Sequence, residues 1–275
     1  MLDLLKADLK RAIKDRLFIV LCIIAGAFAV ITPLLYKGML VLLEWTMAST
    51  EGLEMFELTM TAKSMFFGTF SFGGDFGLIL PIFVAIILCK DFSNGTIRNK
   101  IICGKSRTSI YFSLLITCSI LTCAFMLAHA LLTLLVSLIF FEYQTTPFSW
   151  GDFGYLMASI GLQLLCCLFV CALLTFFIVF MKNAGLAIVM YFVVSFLMTI
   201  VGSITQTMVM LVPPDEIAYN VLEFFNAANV FMSSIIGSGT TYQLKELLYF
   251  LLPTVAFTAI FVTLGLVAFR KKDLK

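Results

Sequence analysis

The chain has 275 residues, 61% of them hydrophobic and 12% charged, with a mean hydropathy of +1.08. A soluble globule of this size cannot hide that much apolar surface and still cover its exterior with polar groups, and a disordered chain has the opposite composition. The net charge of +2 is uninformative as a total but not once the charges are sorted along the chain.

Residues 1–15 read as an amphipathic helix lying in a membrane interface. Leu2, Leu5, Leu9 and Ile13 recur at helical spacing, with charges on the rest of the circumference. A cleaved leader is the competing reading, because Ala27-Phe28-Ala29 resembles a cleavage site; three acids in the n-region and apolar sequence beyond the cut argue against it. A spanning helix needs about 20 apolar residues, and six stretches follow. Span 1 covers residues 17 to about 42, with Pro33 expected to kink or shorten it. Span 2 covers 77–89 and has the shortest clean core, extended upstream through 70–76. Spans 3 to 6 cover 110–141, 155–181, 185–210 and 247–269. Membrane β-barrel strands would be short and alternating, unlike these continuous runs.

Two connecting segments exceed tight turns. Residues 43–75 hold Glu51, Glu54 and Glu57 among Met and Phe; residues 211–246 open on Pro213-Pro214 and continue through Val221, Phe224, Phe225 and Phe231. Both read as interfacial or re-entrant amphipathic helices, or as surface caps on the bundle. The expectation is one transmembrane domain over 1–275, all-α and polytopic. Its halves show no repeat, which weighs against an inverted-repeat carrier.

With the N-terminus in the cytoplasm, 15 of the 18 basic residues fall inside, and only Lys37, Lys63 and Lys245 fall outside. Of the 16 acids, 11 fall outside. Six spans with both termini cytoplasmic satisfy this bias, whereas five or seven would put the basic tail on the wrong side. The eight cysteines avoid the acidic segments, so an external disulfide framework is not expected. Cys166, Cys167 and Cys171 fit apolar packing better than a metal site, since no His or carboxylate lies nearby in sequence.

Ionisable groups are nearly absent from the spans. His129 in span 3 is the exception, joined by the amides Gln163 in span 4 and Gln206 in span 5. Such groups mark a polar path in a proton-coupled carrier, or serve to bond neighbouring helices. Intramembrane proteolysis lacks its paired acids, its Ser/His pair and its histidine motif.

The loop 90–109 carries the most information. Gly104-Lys105-Ser106 matches the tail of a phosphate-binding loop, but position 99 is Asn where that motif needs Gly, and no strand precedes it. Nucleotide hydrolysis by this chain is therefore not expected. Ser93 or Asn94 can cap a short helix that Gly104 closes. Ile97 and Ile101 share one face, while Arg98, Asn99 and Lys100 occupy the rest. Such a helix suits docking into a groove on a soluble partner, or it simply fixes topology by charge.

Asp91-x-x-x-Gly95-Thr96, followed by Ile97-Arg98-Asn99-Lys100 and Ser106-Arg107, resembles the coupling-loop signature of ABC-2 type transporter permeases. Asp91 stands where that pattern has Glu. Six spans, an N-terminal elbow helix, a long outer segment before span 6 and the basic tail also match in layout. The resemblance implies the permease subunit of an exporter in a bacterial cytoplasmic membrane, surrounded by lipid, paired with a second permease subunit and served by a separate cytosolic ATPase. ATP and Mg would sit on that ATPase, with no cofactor on this chain and no nucleic acid involved. Asp91, Gly95, Thr96, Ile97, Arg98, Lys100, Ile101 and Arg107 would form the coupling region. The implied cargo is hydrophobic or amphipathic: a peptide, an antibiotic or a lipid. A secondary transporter or channel using His129, Gln163 and Gln206, or a membrane scaffold, is the competing expectation.

Overall fold

The computed structural model describes residues 2–46, 60–70, 75–144, 148–181, 183–213, 216–231 and 244–271. Ten helices form these parts: α1 (Leu2–Ile13), α2 (Arg16–Thr46), α3 (Ala62–Gly68), α4 (Asp75–Ser93), α5 (Thr96–Ile102), α6 (Arg107–Phe140), α7 (Trp150–Met181), α8 (Ala184–Leu211), α9 (Ile217–Ala228) and α10 (Leu244–Lys271). The chain is a polytopic α-helical membrane protein. Helices α2, α6, α7, α8 and α10 are each long and apolar enough to cross a bilayer. The second apolar stretch behaves differently. Helix α4 qualifies only together with α5, across a bend of 48°. Its 19 residues span roughly 28 Å at the α-helical rise, close to a hydrocarbon core.

Helix α7 is the axis of the bundle. From Leu162 to Val179 it is buried on most of its circumference, packed by α4, α6, α8 and α10. Ser149 and Asp152 start it reciprocally: Ser149 N–H donates to Asp152 Oδ2 at 2.8 Å, and Asp152 N–H donates to Ser149 Oγ at 3.3 Å. Helix α4 lies inside the bundle too, with Leu80, Phe83, Val84, Ala85 and Leu88 buried. Helices α2, α8 and α10 instead keep much of their apolar surface outward, as lipid-facing helices do. Against α6, α2 presents Ala25, Ala29 and Pro33, one turn apart; small residues at such a seam let backbones approach. The helix runs through Pro33 to Thr46, beyond the expected end of span 1.

Helix α3 caps the acidic end. Thr61 and Ser64 form a capping box. Ala62 and Lys63 N–H donate to the carbonyls of Glu142 and Tyr143, and Lys63 Nζ lies 3.2 Å from Asp152 Oδ1. Phe66, Phe67 and Phe70 form an edge-on ring cluster that reaches Tyr155. Glu51, Glu54 and Glu57 lie outside the described residues.

Helix α9 turns inward from the acidic end. Near its first turns Lys245 Nζ bonds Glu223 Oε2 at 2.6 Å and Asn220 Oδ1 at 3.0 Å. Beyond its last turn Asn229 Nδ2 donates to the Met198 carbonyl at 2.7 Å, within α8. Phe231 then packs its ring against Phe169 and Tyr191, at centroid distances of 5.8 and 5.9 Å. This helix therefore packs along both α8 and α10.

Candidate functional site

The loop after α4 is shaped by two glycines. Gly95 adopts φ +65° and serves as the N-cap of α5, without a side-chain cap; neither Ser93 nor Asn94 takes that position. A residue with a Cβ pays a steric cost in this left-handed region. Gly104, at φ +78°, ends α5. Its N–H donates to the Ile101 carbonyl at 2.9 Å, and Lys105 N–H donates to Lys100 at 3.2 Å, the paired bonds of a Schellman motif. Ser106 then caps α6 by accepting from Ser109 N–H.

Seven-residue α5 is thus held at both ends, and its inward face is set by packing. Ile97 is buried, Ile101 packs on the main core, and Lys100 is 9% exposed. The apolar face expected to meet a partner is covered by the chain's own bundle. Arg98, Asn99, Ile102 (73% exposed), Cys103 and Lys105 form the free face. Thr96, the first helical residue, is half-buried.

Lys100 sits in a buried ion-pair network. Its Nζ lies 2.8 Å from Asp8 Oδ1 and 3.4 Å from Asp91 Oδ2. Asp8 and Asp91 are 3% and 4% exposed. Ser113 Oγ on α6 donates to Asp8 Oδ2 at 2.8 Å. Arg11 on α1 pairs with Asp91 and lies 3.5 Å from Asp8. Two carboxylates therefore share two cations and a hydroxyl, which is how buried charge becomes tolerable. The network joins α1, α4, α5 and α6. Asp91 faces this interior rather than solvent, so its charge is already satisfied within the chain.

Two further contacts lock the same end. Lys90 pairs with Asp15 in the α1–α2 link. Burial pushes the Asp15 carboxyl up, but bonds from Lys90 and the Leu17 N–H outweigh it and hold Asp15 below the usual carboxylate range. Arg107 Nη1 donates to the Arg270 carbonyl at 2.8 Å, tying the start of α6 to the end of α10. Beside it, Tyr111 OH donates to the Val262 carbonyl at 3.1 Å, in space left by Gly265.

Of the sequence-derived residues, the structure brings Asp91, Lys100, Ile97 and Ile101 to one buried junction. Gly95 and Thr96 form its bend, and Arg98 faces outward. Arg107 stands at the neighbouring α6–α10 contact. Asp8, Arg11, Ser113 and the Asp15–Lys90 pair were missed. A charge at position 8, one turn from both Leu4 and Ala12, was the available signal, because it interrupts an otherwise apolar line. Leu4, Leu9 and Ala12 pack against the bundle with Asp8 buried among them, whereas Ile13 is exposed.

The polar groups within the spans divide. Cys167 contacts Met126 and Cys171 contacts Thr122, both at 3.5 Å, aligning α6 antiparallel to α7. His129 and Gln163 are both buried on these helices, one turn further along that seam. Neither amide atom of Gln163 has a hydrogen-bond partner among the described residues. Gln206 is exposed on α8 and does not join them.

The fold and this junction define a multi-pass α-helical membrane protein whose basic end is a braced helical platform. Residues 18–275 match the family described as "Protein of unknown function (DUF2705)", and the chain belongs to that family. No curated protein matches it.

Proposed function

We propose that this chain is the permease subunit of an ATP-driven, ABC-2 type exporter, working with a second permease subunit and a separate cytosolic ATPase. The observation that carries the reading is the brace around α5. A short helix with a free basic face is fixed through Lys100, Asp8, Asp91 and Arg11 to three other helices. These contacts are what would carry force from that face to α4 and α6. Five helices long and apolar enough to span, with the 19-residue apolar α4 as a sixth, fit the six-span layout, and the bias of Lys and Arg supports cytoplasmic termini. A bacterial cytoplasmic membrane is the matching location. The apolar walls of the bundle favour a hydrophobic or amphipathic cargo.

The free face of α5 marks Arg98 as the residue to change. Arg98→Glu should leave folding intact and weaken capture of an ATPase bearing a complete phosphate-binding loop when the tagged chain is purified from its own membranes. Capture of no such ATPase, with transport surviving ATP depletion, would overturn the reading. Buried Gln163, without a hydrogen-bond partner among the described residues and, like His129, one turn from the Cys167–Met126 contact along the α6–α7 seam, favours one alternative, a secondary carrier. There transport would survive ATP depletion and be lost in Gln163→Leu.

A further inference from the structure

Beside the ion-pair network a cavity of about 560 Å³ opens between α1, the α1–α2 link, the last turns of α4, and α6. Arg11, Lys14, Arg16 and Lys90 line it together with Asp8, Asp15 and Asp91. The acids are matched from within: Asp8 and Asp91 by Lys100 and Arg11, and Asp15 by Lys90. Lys14 and Arg16 make no ion pair among the described residues, and both are exposed. The cavity therefore carries two uncompensated positive charges.

The rest of the wall is of another kind. Phe18, Ile86, Ile87 and Leu114 give it an apolar lining. Thr117 also lines it; this residue is 4% exposed, and its Oγ1 has no hydrogen-bond partner among the described residues. Thr117 stands ten residues into α6, which is about 15 Å from its basic start. The cavity thus joins basic side chains near the end of the bundle to apolar surface and a lone hydroxyl further in. A soluble anion would use the first part and leave the second empty. A ligand with a phosphate at one end and hydrocarbon at the other uses both, and an unbonded buried hydroxyl gains a partner.

We infer that this cavity binds one anionic phospholipid of the leaflet at the basic end. Lys14 and Arg16 hold its phosphodiester, the Thr117 hydroxyl donates to an ester carbonyl, and an acyl chain lies over Phe18, Ile86 and Ile87. The inference shares with the proposed function only the placement of the basic end at a membrane surface; it needs no ATPase and stands or falls without one.

The test uses the purified full-length chain in a neutral detergent, with native mass spectrometry counting bound lipid. Phosphatidylglycerol, phosphatidylcholine, inorganic phosphate and glycerol 3-phosphate are titrated separately and in competition. One phosphatidylglycerol should be retained in preference to phosphatidylcholine, and neither soluble phosphate should displace it. Lys14→Gln with Arg16→Gln should weaken retention about tenfold or more, the scale of two interfacial cations. Lys6→Gln with Lys10→Gln removes the same charge from α1 outside the cavity and should leave retention nearly unchanged. Thr117→Val, nearly isosteric, should weaken it by a smaller factor. Equal losses in the two double variants, equal retention of the two lipids, or full displacement by inorganic phosphate would each overturn the inference. If the Lys14/Arg16 variant fails to fold, the comparison of lipids on the wild-type chain and the Thr117→Val titration decide.

Discussion

Replacing Lys100 with Met tests the brace most directly. The substitution keeps a long flexible side chain and removes the ammonium. Asp8 and Asp91, each at most 4% exposed, would then share Arg11 alone, with Ser113 still donating to Asp8. One carboxylate must go uncompensated or take up a proton. Removing one partner from a buried pair costs about 3–5 kcal/mol, far above the 0–1 kcal/mol of an exposed pair. On a chain of this size that corresponds to a fall in Tm on the order of 10 °C. Thermal unfolding in detergent, followed by far-ultraviolet circular dichroism, reads it. Arg98→Met, two residues away and exposed, should shift Tm by no more than a degree or two, on the scale of about 0.5 kcal/mol for surface changes. The double variant Asp8→Asn with Lys100→Met should recover part of the loss, with a coupling of roughly 0.5–3 kcal/mol. A Lys100→Met chain as stable as the wild type would refute the reasoning, because Lys100 would then be dispensable to its two carboxylates.

Three further outcomes follow from named geometry. Gly95→Ala should destabilise by about 1–2 kcal/mol, the cost of a Cβ in the left-handed region, and Gly95→Asn by less; denaturation midpoints of the two variants check the order. Gly265→Ala would press a methyl against the Tyr111 hydroxyl and threaten its bond to the Val262 carbonyl. A loss of about 1–3 kcal/mol is expected, and Tyr111→Phe in the same chain should relieve part of it, as read by Tm. Asp15 has a folded-state pKa below its unfolded value, so its contribution is fully present above the unfolded value, near 3.9, and is lost as pH falls through the folded one. Asp15→Asn should therefore flatten the acid limb of the stability curve while changing its slope little above pH 6, as measured by Tm against pH.

The spans were legible because hydropathy and length are local properties. The runs at 110–141, 155–181, 185–210 and 247–269 became α6, α7, α8 and α10 within a few residues at most ends, except that α7 begins five residues earlier. Helix α4 was harder. Its interior position makes it apolar all round, and the turn at Gly95 that sets off α5 from its end is not encoded by composition. Pro33 did not end α2, since a proline inside a membrane helix is tolerated where neighbours or local backbone adjustment absorb the freed carbonyl. Gly95 and Gly104 were readable as punctuation around a short helix. The Ile97–Ile101 face was readable as a face to be covered, but a sequence does not say by whom, and the chain covers it itself. The pairing of Asp8, though not its place in an apolar line, was opaque for a different reason. Its partners Lys100 and Ser113 come from distant helices, and charge pairing across such separations has no period or spacing to betray it.

Those separations set an order of assembly. Asp8 waits for Lys100, 92 residues downstream, and for Ser113, 105 residues downstream. A ribosome releases α1 and α2 well before either partner exists. Until α5 and α6 emerge, Asp8 lacks both Lys100 and the Ser113 hydroxyl, with Arg11 its nearest cation. The amino terminus is therefore synthesised first and fully compensated late, and a chain cut short before residue 100 carries Asp8 without Lys100 or Ser113.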